Sequence, residues 1–252
     1  MTDTPSKRPS RPRFVELSPD RVRRFWENVS VEPDGRAWAV RLDGRLPRTP
    51  AGHSLVLPSV SSAQLVAAEW AAQGEHLDAA TMPATRLAYT AIDRVREARE
   101  AVADEIASYA GSDALCYRAE EPMSLVERQE REWSPWLKWA SEQGVALEPA
   151  TGIIHRAQPG PSLDRVKTLA LDLDDYVLTG LAAATPLFGS AVLALALQRG
   201  ALSGETAFDL SRVEEDFQES RWGVDEEAAE RTQSRRYEAV MLERWFKALA
   251  DG

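Results

Sequence analysis

Apolar residues recur at every second position between Phe25 and Leu57, and at every third or fourth position from Ser61 onward. Side chains alternate sides along a strand but return to one helical face after about 3.6 residues, so the change of period divides the chain into a strand-forming and a helix-forming part. In the first part Val29 and Val31 alternate with polar residues, Pro33-Asp34-Gly35 supplies a turn, and Trp38, Val40 and Leu42 occupy one face of a second strand. Asp43-Gly44 reads as a hairpin turn, because both residues tolerate positive φ. A third strand is expected over Arg45–Thr49, at an exposed edge because Pro47 and Pro50 cannot donate to a ladder. Pro50-Ala51-Gly52 then turns the chain into Ser54–Leu57.

In the second part Ser61 and Gln64 form a capping box for a helix burying Ala63, Val66, Ala67 and Trp70. Another helix starts at Met82-Pro83 with Leu87, Ala91 and Val95 on one stripe, and Val102, Ile106 and Tyr109 continue the period to a stop at Gly111. Ser124 and Glu127 cap a helix carrying Trp133, Trp136 and Trp139, which Pro135 bends or restarts and Gly144 ends. Ile153-Ile154 returns as a short strand, and Leu163, Val166, Leu169, Leu173 and Val177 define a helix behind Ser162. Tyr176–Gln198 carries no charge and is long enough to span a bilayer, but Thr185-Pro186 reads as an N-cap followed by the first helical residue, splitting it into a buried hairpin. One helix is expected over Gly204–Trp222, and Asp225 caps a last one with Val240, Trp245 and Leu249 facing inward. The expected architecture is α+β: a disordered arm over residues 1–13, a small β-rich domain over 14–80 and a larger orthogonal helical bundle over 81–252.

The net charge of -10 argues against nucleic acid and anionic membranes as partners. A single Cys116 forms no intrachain disulfide, and the basic, Pro-rich N-terminus carries no secretory signal, so a reducing compartment is expected. None of the four Lys follows a Gly, which excludes a P-loop, and Gly35 and Gly44 lie in a hairpin region rather than between strand and helix. His53, His76 and His155 are scattered without metal-ligand spacing. Ser190 lacks a nucleophile elbow, and Asp174-Asp175 reads as a solvated helix face. No catalytic residue, metal or cofactor is expected. The eight Trp mostly suit a core, with a few available to a partner. On the acidic helix Leu210, Glu214 and Phe217 share a face, which sets a carboxylate at the edge of an apolar stripe, while Glu215 and Glu219 lie on a solvated flank. The plainer reading of Glu214 is an ordinary surface acid.

Ordered blocks along the chain carry a family resemblance: Arg24-Phe25-Trp26, Leu42-Asp43-Gly44-Arg45, Thr49-Pro50, Ala68-Glu69-Trp70 with Gln73, Met82-Pro83, Asp113–Arg118, Gln129 with Trp133 and Pro135, Thr151-Gly152, Gly189-Ser190 and Glu214–Gly223. Together they resemble the assembly chaperones of the ATP synthase alpha subunit, the ATP-twelve family. The resemblance implies a non-enzymatic chaperone that binds the unassembled alpha subunit transiently and shields its beta-contacting surface. It makes Glu214, Phe217, Gln218 and Trp222 candidate partner-binding residues and Trp70, Asp43 and Gly44 structural ones. It further implies the mitochondrial matrix or, given few Lys, the bacterial cytoplasm, without membrane insertion. The rival expectation is a small-molecule enzyme with a pocket between the two domains.

Overall fold

The computed structural model describes residues 22–152, 156–223 and 226–251. The arm over 1–13, the Ile153-Ile154 strand, His155 and the Asp225 cap lie outside them.

Strands β1 (Val29–Asp34) and β2 (Ala37–Leu42) pair antiparallel, with Asp34 opposite Ala37 across a two-residue turn at Gly35-Arg36. Asp43 and Gly44 both have positive φ, so the expected turn forms and the Leu42 N–H bonds the Arg45 carbonyl at 2.9 Å. The third strand differs from expectation. β3 is Val56–Leu57, antiparallel to β2, whereas 45–54 makes a loop held by an isolated Arg48–Ser54 bridge. Pro47 and Pro50 lack the N–H groups that a regular strand there would need.

Helix α1 (Val60–Ala71) packs beneath this sheet, burying Ala63, Val66 and Trp70 against Trp26, Leu42, Leu55 and Leu57, with Ala67 half-buried. Its cap is Ser59, not Ser61: the Ser59 Oγ accepts from the Ser62 N–H while the Ser62 Oγ accepts from the Ser59 N–H. The Ser59 Oγ also donates to the Ala248 carbonyl at 2.5 Å, tying α1 to the last helix.

Helix α2 (Pro83–Thr90) begins at the expected proline and passes through a π-helical segment, Ala91–Val95, into α3 (Arg96–Ala110), which ends at Gly111. Helix α4 (Met123–Glu142) starts after Pro122 without the expected Ser124–Glu127 cap, and it runs unbroken through Pro135. Proline removes one helical hydrogen bond, but Pro135 and Arg131 are both exposed, on a helix face open to solvent, where a missing bond costs little.

Leu173 and Val177 do not continue the preceding helix. α5 (Gly160–Leu171) stops, and Asp174 caps α6 (Asp175–Phe188) by accepting from the Tyr176 and Val177 N–H groups. The hairpin forms, but its break is at Gly189, in the left-handed conformation, and Ser190, which caps α7 (Ala191–Gln198). Pro186 sits on the exposed side of α6, where it costs no buried bond. Helix α7 is buried on every side from Ala191 to Leu197, as its uniformly apolar sequence requires. Among the described residues no helix is long and apolar enough to cross a membrane.

The expected Gly204–Trp222 helix is two: α8 (Gly204–Ser211) and α9 (Val213–Trp222), broken at Arg212, where φ is -117. Helix α10 (Glu226–Ala250) then packs against α8, α6 and α1 through Ala239, Met241, Leu242, Trp245 and Phe246, with Val240 and Leu249 half-buried. The fold is α+β, a small sheet beside a larger helical part.

Candidate functional site

The residues expected to be structural have plain roles. Trp70 is 6% exposed and meets Trp26 edge-on, with ring centroids 5.0 Å apart. Around it Glu69 caps α2, its carboxylate accepting from the Ala84 and Thr85 N–H groups and the Thr85 hydroxyl. Gln73 binds the Asp78 N–H and the Thr81 hydroxyl oxygen, and the Arg24 guanidinium donates to the Gln73 carbonyl. Asp43, exposed at its turn, accepts from the Glu27 and Asn28 N–H groups, bonds that hold its carboxyl below the usual range. These blocks build the sheet-to-helix junction.

A second set of blocks converges elsewhere. Asp113 is fully buried and caps two elements at once: Oδ1 accepts from the Leu115 N–H in the 3-10 turn Ala114–Cys116, and Oδ2 accepts from the Val192 N–H at the start of α7. That turn leads into β4 (Tyr117–Arg118), which pairs in parallel with β5 (Ala150–Thr151). The Arg118 guanidinium lies over the Trp133 ring of α4, 5.2 Å from its centroid, and donates to the Gln129 carbonyl and the Ser134 hydroxyl. Trp133 Nε1 in turn donates to the Leu210 carbonyl at 2.8 Å, anchoring the end of α8.

Between β4, β5, the start of α4 and α9 lies a groove of about 740 Å³, lined by Tyr117, Arg118, Ala119, Glu120, Glu121, Leu125, Thr151, Gly152 and Glu214. A side chain at Gly152 would stand 3.0 Å from the Glu120 carboxylate, so glycine there leaves that wall room for the acid. Glu214 is half-buried, and Gln129 Nε2 donates to its Oε1 at 2.5 Å. Burial pushes its carboxyl up, the Glu215 charge adds to this, and the bond from Gln129 opposes both. Among the described residues no Lys or Arg lies within ion-pair distance of it, and Arg118 is engaged elsewhere. Such an arrangement can accept a hydrogen bond or a cationic group; it holds no paired acid and base.

The other expected partner-binding residues scatter. Because α8 and α9 are separate, Leu210, Glu214 and Phe217 are not one continuous stripe. Phe217 is half-buried against the core with the Arg221 guanidinium 4.5 Å above its ring, and Gln218 is exposed. The Trp222 side chain lies outside the described part. Glu215 is exposed as expected, but Glu219 is not simply solvated: it pairs with Arg212 at 2.5 Å. Sequence reasoning assigned no role to Gln129, Asp113, Glu120 or Glu121. For Gln129 a signal existed, a lone amide in the apolar row Leu125, Trp133, Leu137 and Ala140.

A family model described as ATP12 chaperone protein matches residues 23–141, from the sheet through most of α4. The mitochondrial protein atp12 of Schizosaccharomyces pombe is 25% identical over 221 residues, covering 82% of this chain and 76% of its own length. The crystal structure of Atp12 from Paracoccus denitrificans matches with a TM-score of 0.85 and 38% identity, over 90% of this chain and 98% of that one. The crystal structure of the Atu1473 protein from Agrobacterium tumefaciens matches with a TM-score of 0.84 and 36% identity, over 90% and 86%. Both structural matches extend well past the segment that the family model covers.

Proposed function

We infer the function from one premise: the chain belongs to the ATP12 chaperone family. On that premise it is an assembly chaperone that binds the unassembled alpha subunit of the ATP synthase catalytic sector and shields its beta-contacting surface until assembly. It performs no chemistry of its own. The observation that carries this reading is Glu214, a half-buried carboxylate on an open groove whose partner is a neutral amide rather than a cation. An acid desolvated without its own countercharge is suited to one supplied by a partner. Among the described residues the groove is lined by three acids with Tyr117, Arg118, Leu125 and Thr151 and by no His or Ser, which supports binding over small-molecule catalysis. Release to the beta subunit favours an interface of ordinary size, about 1,200–2,000 Å² in total. The low Lys content favours the bacterial cytoplasm.

Two measurements test this. A pull-down from native extract, with mass identification, is expected to capture the alpha subunit and to lose it when beta subunit is added; capture of no ATP synthase subunit overturns the reading. Glu214→Gln keeps an oxygen that accepts from Gln129 and is expected to melt within a degree or two of wild type. Its affinity for the alpha subunit is expected to fall about tenfold to hundredfold, the worth of one charged hydrogen bond across an interface. Glu215→Gln, at an exposed position, is expected to bind like wild type. Equal binding by Glu214→Gln removes the contact role.

A further inference from the structure

Gln129 has no solvent exposure, yet every polar group of its amide is engaged in a different direction. Its Oε1 accepts from the Ala119 N–H at 2.8 Å, just past β4, and its Nε2 donates to Glu214 Oε1 on α9. Its main-chain carbonyl receives the Arg118 guanidinium. One residue of α4 therefore ties together Ala119 and Glu214, both of which line the groove. The position demands an amide, since one end must accept from an N–H while the other donates to a carboxylate, and neither Glu nor Lys does both at neutral pH. A free Glu side chain loses rotamer entropy when a partner fixes it, a loss that the Gln129 bond takes up within the free protein.

We propose that Gln129 is the positioning residue of the groove: it holds one oxygen of Glu214 and presents the other to a hydrogen-bond donor on the partner. This rests on the binding reading of the groove given above. Among the described residues the charged groups that share the groove with Glu214 are Arg118, Glu120 and Glu121, with Glu215 on its own helix.

The test is a carbonyl-detected NMR titration of the free, full-length chain, with the Glu214 signal identified by its loss in Glu214→Gln. Gln129→Leu removes the donor, and the Glu214 midpoint is expected to move upward. Gln129→Glu keeps the volume and the acceptor for the Ala119 N–H, so it carries the test if the Leu variant does not fold. In it the two carboxyls are expected to share a proton and titrate in two coupled steps. Alpha-subunit capture by Gln129→Glu is then expected to weaken about tenfold as the shared proton leaves, over a range where wild-type capture holds steady. An unchanged Glu214 midpoint in the variants, or shifted midpoints with unaltered capture, overturns the proposal. If wild type captures no alpha subunit, the partner reading fails while the titration still decides whether Gln129 governs Glu214.

Discussion

Asp113→Ala is expected to cost about 3–5 kcal/mol of stability, because it removes the acceptor of the N–H groups of Leu115 and Val192, two residues with no solvent exposure. Against a total of about 5–15 kcal/mol for a typical domain, that is a large share. The melting temperature is expected to fall by about 10 °C or more, at roughly 2–4 °C per kcal/mol for a chain of this size. A fall of less than about 3 °C would mean that these donors find other partners. The loss also reaches the groove, since the turn that Asp113 caps leads straight into β4.

The same carboxyl sets a pH dependence. Complete burial pushes Asp113 up to about 6 from the ordinary 3.8, against hydrogen bonds from Ser190, Val192, Leu115 and Ala191 that act in the opposite direction. The native state therefore holds this proton more tightly than the unfolded chain. The contribution to stability is full below about pH 4 and is lost as pH rises to about 6, amounting to about 3 kcal/mol. Denaturant midpoints for wild type and Asp113→Asn between pH 4 and 7 check this: the difference between the two curves is expected to change with pH over that window and to be flat above it.

What the sequence made legible follows from the range over which each signal acts. The change of period at Ser61, the Asp43-Gly44 turn, the start of α2 at Pro83 and the burial of Trp70 are local properties, and the structure bears them out. Helix breaks were harder. Pro135 and Pro186 look like breaks, yet both ride on exposed helix faces where a missing hydrogen bond is cheap. The actual breaks at Leu171–Asp174, Gly189 and Arg212 depend on which carbonyls and donors find partners in other elements. Arg99, for example, donates to the Leu171 and Leu173 carbonyls from α3, across more than 70 residues. The site followed the same rule. Glu214 was legible as an acid near an apolar stripe, but its setting was not, because the groove is made by β4, β5 and α4. The resemblance blocks over Asp113–Arg118, Gln129, Thr151-Gly152 and Glu214–Gly223 marked the segments that meet there without saying that they meet, and the apolar row interrupted by Gln129 was the one physical trace of a buried partner. An amide in such a row must find partners when buried, and its partners here are a main-chain group ten residues away and a carboxylate 85 residues away.

Gly204 places a single atom in control of how α8 meets α10. A Cβ there would stand 2.3 Å from the Ala239 carbonyl oxygen, 2.7 Å from the Ala239 carbonyl carbon and 2.9 Å from the Val240 Cα. All three are main-chain atoms, so no side-chain rotation relieves the overlap; the helices must separate. Separation would also stretch the bond from the Gly204 N–H to the Glu243 carboxylate, now 2.7 Å. Gly204→Ala is therefore expected to destabilise by at least about 3 kcal/mol, the upper part of the range for overpacked cores. Gly180→Ala is the instructive contrast. Its Cβ would meet the Phe246 and Trp245 rings at 2.7 and 2.9 Å, side-chain rather than main-chain atoms, so the helices need not part and a smaller loss is expected. Helix α8 leads through Arg212 into α9, and Trp133 grips its last turn at the Leu210 carbonyl, so moving α8 also moves Glu214 relative to Gln129. Gly204→Ala is thus expected to weaken the alpha-subunit capture proposed above even at temperatures where the variant remains folded. Thermal melts of both glycine variants, with capture measured at 10 °C, separate the outcomes. A Gly204→Ala protein as stable as wild type would mean that α8 and α10 are less closely packed than 2.3 Å implies.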